Sequence, residues 1–322
     1  MIPRIPGKWW DIGMDLVTGC TPVSPACENC WSAAAAHRKG GGGPGVYGNL
    51  NPKIQARYGG LTDAQGRFTG EVRPQWQDLD RIGAARKPQV YTFWTDLFHP
   101  AISFDLSDLS PAGESLIDEV IIKILTRPKH FYIICTKRPE RALEYFLSRR
   151  YDIVDWPGAQ KILSRRLMLM TTVENQEWAD RRIPDLLKTS GVLHGVSYEP
   201  ALGPVDFAPY GHWGLDWLIA GGETGSYARP SHPDWFRQAR DQCQAAGVPF
   251  FFKSWGEWTN TSPMPGGNLG NDMRRGVVKI VKSVGENDGL FRKGDVLMRR
   301  VGKKTAGRVL DGQEWNEMPH GL

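Results

Sequence analysis

No stretch of this sequence approaches the ~20 consecutive apolar residues that cross a bilayer, so a membrane-embedded protein is not expected. Its first twenty residues, MIPRIPGKWWDIGMDLVTGC, lack the apolar core and small-residue cleavage site of a secretory signal, which points to the cytoplasm. Cysteine is scarce: there are five in 322 residues. Three of them crowd between positions 20 and 30, which suits metal ligation in a reducing compartment better than a disulfide framework. Nor is there a large excess of one charge. A formal +5 and a pI near 8.9 admit nucleic acid or another anionic partner without requiring one. What is present, 40% hydrophobic and 23% charged residues, is the composition of a globular protein long enough to bury a substantial core.

Short apolar runs recur along the chain: MDLVTGC (14–20), PQVYTFW (88–94), HFYIIC (130–135), RLMLMTTV (166–173), VLHGVSY (192–198), DWLIAGG (216–222) and VPFFFKSW (248–255). Each reads as a strand bounded by turn residues. Helical patterns lie between them: SLIDEVIIKILTRP, RPERALEYFLSRR, NQEWADRRIPDLLKTSG and HPDWFRQARDQCQAAG, the first stopped by proline and the last two by glycine. Near-continuous apolar strands alternating with helices predict an α/β fold with a parallel sheet, a partial or complete TIM-like (β/α) barrel over residues 1–258. The glycine-rich stretch 39–87 reads as an insertion after the first unit. Residues 259–322, with VVKIVKSVG, GDVLMRRVG and GRVLDGQEW, read as a small β-rich C-terminal appendage of short antiparallel strands.

The sharpest chemical feature is Cys20-x6-Cys27-x2-Cys30, after the first expected strand and before the helix SAAAAHRK. Thiolates are soft ligands that select zinc, copper(I) or iron–sulfur clusters. A cluster held by three of them keeps one iron open. An open iron is what S-adenosylmethionine needs: in radical enzymes it chelates the methionine moiety, and electron transfer releases a 5'-deoxyadenosyl radical. The usual motif there is C-x3-C-x2-C, so the second gap matches and the first is three residues longer. A zinc knuckle completed by His37 as fourth ligand stays open as an alternative. Cys135 and Cys243 read as structural, one ending a strand and the other on an amphipathic helix.

A second constellation sits at the expected C-terminal ends of the strands, where barrel enzymes build their sites. It comprises Thr95, Asp96 and His99; Thr136, Lys137 and Arg138; Thr172, Glu174 and Asn175; Ser197 and Glu199; Gly221, Gly222 and Glu223; and Lys253. Lys137, Arg138 and Glu199 are the catalytic candidates. Thr95, Asp96, Thr172, Glu174, Ser197, Gly221, Gly222 and Glu223 are candidates for cofactor binding, with Glu174 or Glu199 suited to ribose hydroxyls. GGETG is neither a G-x-G-x-x-G nor a P-loop. Radical enzymes often carry a GGE-like segment after an earlier strand, so the role of Glu223 is left open. Read differently, Asp96, His99, Glu174 and Glu199 would ligate the metal of a hydrolase or nuclease. Thirteen tryptophans and a run of arginines from Arg138 to Arg182 admit a third reading, a zinc-stabilised nucleic-acid-binding protein.

The segments LVTGCTPVSPACENCW, TDLFHP, ICTKRPERALEY, TVENQEWADRRIPDLL, VSYEPALGPVDF, LIAGGETGSYARPSHPDWFRQARDQCQAAGVPFFFKSWGEW and LDGQEWNEMP resemble a phage- and prophage-associated, radical-SAM-like family of largely unknown function. The resemblance implies Cys20, Cys27 and Cys30 as ligands of a [4Fe-4S] cluster, S-adenosylmethionine as cofactor and a partial TIM-like barrel. Members commonly carry a tyrosine or tryptophan after the third cysteine, here Trp31, which the resemblance adds to the cofactor-binding candidates, and an arginine after GGE, here Arg229. The long 39–87 stretch departs from shorter members. The expectation is a radical enzyme of the host cytoplasm, served by an external electron donor of flavodoxin or ferredoxin type. Its expected substrate is a nucleobase or nucleotide in phage DNA metabolism.

Overall fold

Two runs form the centre of the sheet: Phe131–Thr136 is buried at all but one position and Leu167–Thr172 at every one. A strand apolar on both faces needs cover on both, which is what helical crossovers between parallel strands provide. The computed structural model describes residues 7–41, 51–104, 115–148, 158–211, 214–260, 269–283 and 291–319. In chain order the first elements are β1 (Ile12–Met14), β2 (Val17–Thr18), α1 (Trp31–Gly40), α2 (Pro52–Tyr58), β3 (Arg73–Pro74), β4 (Val90–Phe93) and α3 (Leu116–Thr126). There follow β5 (Phe131–Thr136), α4 (Pro139–Ser148), α5 (Ala159–Arg166), β6 (Leu167–Thr172), α6 (Gln176–Lys188) and β7 (Leu193–Tyr198). The remainder is α7 (Ala208–Gly211), β8 (Trp217–Gly221), α8 (Pro233–Ala246), β9 (Phe250–Ser254), β10 (Trp258–Asn260), α9 (Leu269–Arg274), β11 (Val278–Val281), β12 (Val296–Arg300) and α10 (Lys303–Ala306). The main sheet has seven strands in the order β1-β4-β5-β6-β7-β8-β9, a parallel half-barrel in a mixed α/β fold compatible with a partial TIM-like architecture. None of the described helices is long and apolar enough to cross a membrane.

The chain divides into two compact units, one running to Thr172 and including Asp180–Val196, the other Val173–Ala179 with Ser197–Pro319. In the first, α3 is capped by Ser115, whose hydroxyl accepts the Asp118 N–H at 3.5 Å. Its buried residues Leu116, Ile117, Val120, Ile121, Ile124 and Leu125 form one apolar stripe, and the helix stops two residues before Pro128. The expected strand 14–20 is in fact two. Ile12–Met14 pairs with β4, and the Trp94 N–H closes that ladder on the Met14 carbonyl. Val17–Thr18 pairs antiparallel with β3 in a separate ribbon, drawn there by a Gln75 N–H bond to Leu16 O at 2.8 Å. Within the expected 39–87 insertion, residues 42–50 lie outside the described residues.

In the second unit, α8 shows why its sequence makes a helix. His232 Nδ1 accepts the Asp234 N–H, Pro233 occupies the first turn, and Gly247 ends the helix in the left-handed region at φ 69°. Strands β10, β12 and β11 form a three-stranded antiparallel sheet in that order. Of the strands expected in residues 259–322, GRVLDGQEW does not join this sheet. It makes a local Leu310–Gln313 bridge, and the tail then lies along β9, with Phe251 opposite Asn316 and the Glu317 N–H on Phe250 O. That tail covers a strand edge otherwise open to pairing.

The Asp295 carboxylate joins the chain just after β11 to the chain just before β12. It accepts the backbone N–H groups of Ser283 and Arg292 and lies 3.1 Å from the Lys282 ammonium. Burial works to raise its pKa, but these donors win and bring it to about 2. A carboxylate depressed in the folded state contributes stability above its ordinary pKa of about 4 and loses it as pH falls through the folded value. Asp295→Asn should therefore be less stable than wild type near pH 6, with the gap closing toward about pH 2, as read from thermal melts across that range.

Candidate metal centre and strand-tip groups

The cysteine loop begins at Gly19, whose φ of +85° and whose approach to Glu71 O, 1.9 Å from where a Cβ would stand, leave room for no side chain. Cys20 follows, then a turn of 3-10 helix at Pro25–Cys27, and Cys30 sits extended at the N-cap of α1. All three thiols are free and half-buried. Cys27 Sγ lies 3.9 Å from Ser24 Oγ, and Cys20 Sγ lies 3.9 Å from Arg138 Nη1. Among the described residues no group of three cysteine, histidine or carboxylate side chains is placed to hold a metal ion. A cluster takes one thiolate on each of three irons, so its ligands stand further apart than those around a single ion. Three soft donors on one eleven-residue loop, with no fourth cysteine in it, fit the donor set of such a cluster. His37, the candidate fourth zinc ligand, bonds Thr62 Oγ1 through Nδ1 at 2.9 Å and packs beside Gly66.

Arg138 ties this loop to two strand tips. Its Nη1 donates to Asp96 Oδ2 at 2.6 Å, and its Nη2 donates to Thr21 O at 3.1 Å and Thr21 Oγ1 at 2.8 Å. Asp96, after β4, also accepts the Thr136 hydroxyl at 2.6 Å and the Lys137 and Phe98 backbone N–H groups. Both charges are sealed, with side-chain exposures of 5% and 8%. His99 Nδ1 accepts the Ala101 N–H, so the ring proton sits on Nε2, which donates to Thr21 Oγ1 at 2.9 Å. Burial, then the Arg138 guanidinium, hold this imidazole below its usual pKa, and it is neutral. Burial, then the Asp96 carboxylate, raise the Cys20 thiol against the pull of Arg138.

Beside the loop lies a cavity of about 110 Å³ under α1, walled by Trp31, Trp94 and Tyr58 and floored by Asp15. Trp31 and Trp94 meet edge to face at 5.4 Å, and both are partly exposed. Asp15 accepts the Tyr58 hydroxyl at 3.1 Å, and Lys39 Nζ stands 3.9 Å from the same oxygen. Of the residues lining this cavity, Trp31 and Thr95 are candidates from the sequence, and Asp15, Lys39, Tyr58 and Trp94 join them only in the fold. Their only linear signal is a recurrence of aromatic residues near glycine-rich turns. Thr95 Oγ1 accepts the Val17 N–H at 3.4 Å, and Thr172 at the end of β6 gives its carbonyl to Arg182 at 2.8 Å.

The remaining candidates belong to the second unit. Lys253 Nζ meets Glu199 Oε1 at 2.5 Å, each about one-fifth exposed, and a Cβ on Gly221 would stand 3.5 Å from the Glu199 carboxyl carbon. Glu223 is 4% exposed and held by Arg229, through Nη2 at 2.7 Å, Nε at 2.9 Å and the backbone N–H at 2.7 Å. Gly222 is required by packing, since a Cβ there would fall 2.1 Å from Trp255 O. Glu174 is fully buried, its backbone carbonyl accepting the N–H groups of Leu202 and Gly203, and Ser197 O accepts the Val173 N–H. Cys135 is half-buried on β5, and Cys243 is buried, its thiol pushed up to about 12 chiefly by burial.

A family described as "Protein of unknown function (DUF5131)" matches residues 6–319, nearly the whole chain. The chain belongs to this family. No curated protein and no solved structure matches it. The DUF5131 match takes in the cysteine loop and every strand-tip group described above.

Removing one partner of a buried ion pair leaves the other charge uncompensated, at about 3–5 kcal/mol. Arg138→Met should lower the unfolding free energy by about that amount in urea titrations, and Arg138→Met with Asp96→Leu should recover most of the loss. A double variant as unstable as the single one would show that the pair is not what holds the loop.

Proposed function

We propose that this protein is a radical S-adenosylmethionine enzyme in which Cys20, Cys27 and Cys30 hold a [4Fe-4S] cluster. The observation that carries the reading is three free, half-buried thiols on one loop, the first of them beside the buried Arg138–Asp96 pair at the tips of the parallel strands β4 and β5. When bound and reduced, such a cluster cleaves the cofactor and supplies a 5'-deoxyadenosyl radical for hydrogen abstraction.

The chain's own residues would prepare that chemistry. Arg138 holds the Cys20–Thr21 backbone and sets a cation beside one ligand sulfur. Trp31 and Trp94 give the loop an apolar flank that limits water. In the second unit the Lys253–Glu199 pair is a proton donor and acceptor at strand tips, suited to a substrate with both hydrogen-bonding edges. Trp31, Thr95, Asp96, Thr172, Glu174, Ser197, Gly221, Gly222 and Glu223 are the proposed cofactor-contacting residues, and Lys137, Arg138 and Glu199 the proposed catalytic groups. Among the former, Glu223 would act through Arg229, which already holds its carboxylate.

As substrate we favour a nucleobase in phage DNA, with isomerisation or modification of a hypermodified thymine side chain as the reaction. The electron donor would be a flavodoxin or ferredoxin, and the setting the host cytoplasm. Residues 39–87 would be an insertion, and 259–322 a small appendage, on a barrel spanning 1–258.

After anaerobic reconstitution with iron and sulfide, dithionite and S-adenosylmethionine should yield methionine and 5'-deoxyadenosine on chromatography, and Cys27→Ala should yield neither. One tight zinc per chain with no sulfide and no cleavage would exclude the reading.

A further inference from the structure

The chain's positive charge is unevenly placed. Residues 258–322 hold eleven Lys and Arg against seven Asp and Glu, so most of the formal +5 lies in the last fifth of the sequence. The small sheet of the second unit gathers part of it at one end. Val278 at the start of β11 stands opposite Arg299 near the end of β12, and the Arg300 N–H bonds Val277 O at 2.8 Å. Arg274 and Arg275 lead into that end of β11, and Lys303 and Lys304 follow β12 through Gly302. These six cations therefore lie on the segments that come together at one end of the sheet.

Two of the six have structural duties. Arg299 is paired with Asp272 at 2.7 Å, and Arg300 donates to Gly225 O at 2.8 Å. Arg274, Arg275, Lys303 and Lys304 are exposed and pair with no carboxylate among the described residues. The bond to Gly225 brings in the loop that follows β8, which is also tied by the Gly225 N–H on Glu257 and by Trp258 Nε1 on Ala228 O. That loop carries Tyr227, 82% exposed and the most solvent-exposed large hydrophobic side chain among the described residues.

Unpaired cations that meet phosphates and an exposed aromatic ring that stacks a base are the two parts of a single-strand nucleic-acid platform. Duplex binding needs only the first. We propose that Arg274, Arg275, Lys303 and Lys304, with Tyr227 as stacking ring, bind single-stranded DNA. Its negative backbone lies along the end of the β10-β12-β11 sheet, leading toward the loop at the β8 tip. This rests on the nucleobase substrate proposed above and is independent of the cluster. An unpaired strand is also the form in which a base can leave its stack to reach an active site.

The test uses the full chain, without cluster, and a fluorescein-labelled oligothymidylate read by anisotropy at several potassium chloride concentrations. Wild type should bind with log affinity falling linearly in log salt. Arg274→Glu/Arg275→Glu/Lys303→Glu/Lys304→Glu should weaken binding at least about tenfold and flatten the salt slope. Tyr227→Ala should weaken it about five- to tenfold with the slope kept. Melting curves matching wild type qualify each variant, and paired alanine substitutions replace the quadruple variant if it melts early. Wild type that does not bind, charge reversal without effect, or tighter binding to a duplex or to anionic vesicles would overturn the proposal. Binding that follows these variants in a chain unable to cleave S-adenosylmethionine would leave this surface standing and remove the radical reading alone.

Discussion

The Arg138 guanidinium, buried against Asp96, is the joint on which the candidate centre depends. A planar five-donor fork can satisfy a carboxylate, a backbone carbonyl, a hydroxyl and a sulfur at once, which an ammonium cannot. Here it joins the tip of β4 through Asp96 to the Cys20–Thr21 turn, while its own backbone N–H is fixed by Thr136 on β5. The loop carrying the cysteines is thereby anchored on regular strands. Gly19 lets the chain enter that loop and Cys30 leaves it as the cap of α1, so its ends are set by backbone geometry and its start by charge.

Strand-tip polarity turns out to serve two purposes. Some groups are spent on architecture: Glu223 saturated by Arg229, Gly222 as the only residue that fits against Trp255, and Asp96 as partner to Arg138. Others keep chemistry in reserve, above all the short Lys253–Glu199 contact. A carboxylate with three donors from one arginine residue is a poor base and a good structural pin. The reading of Asp96, His99, Glu174 and Glu199 as ligands of a hydrolytic metal meets the same difficulty, since Asp96 and Glu199 already hold cations and both nitrogens of His99 are engaged.

Strands β4, β5, β6, β8 and β9 are legible in the sequence because they are apolar on both faces, and α3 and α8 because each has an apolar stripe and a stop signal. The run 14–20 was misread as one strand because alternation alone does not reveal that Asp15 turns toward Tyr58 and that Val17–Thr18 finds its partner at Arg73–Pro74. Helix α5 and strand β10 carry little local signal. The first is mostly polar, and the second is three residues long and defined by pairing with Met298–Arg300. The cysteine loop was plain from spacing. That Arg138 lies beside Cys20, 118 positions away in sequence, follows only from the parallel register that sets β4 against β5. Trp94 ends the expected strand 88–94, yet β4 ends at Phe93 and the Trp94 ring comes out against Trp31.

The proposed function requires an open iron held by three thiolates. Its most direct measurement is the EPR spectrum of the anaerobically reconstituted, dithionite-reduced protein with and without S-adenosylmethionine. A [4Fe-4S]⁺ signal whose g values shift on adding the cofactor, and which is lost in Cys20→Ala, is the predicted result. A cluster signal indifferent to the cofactor, or a protein that takes up zinc and no iron, would contradict it.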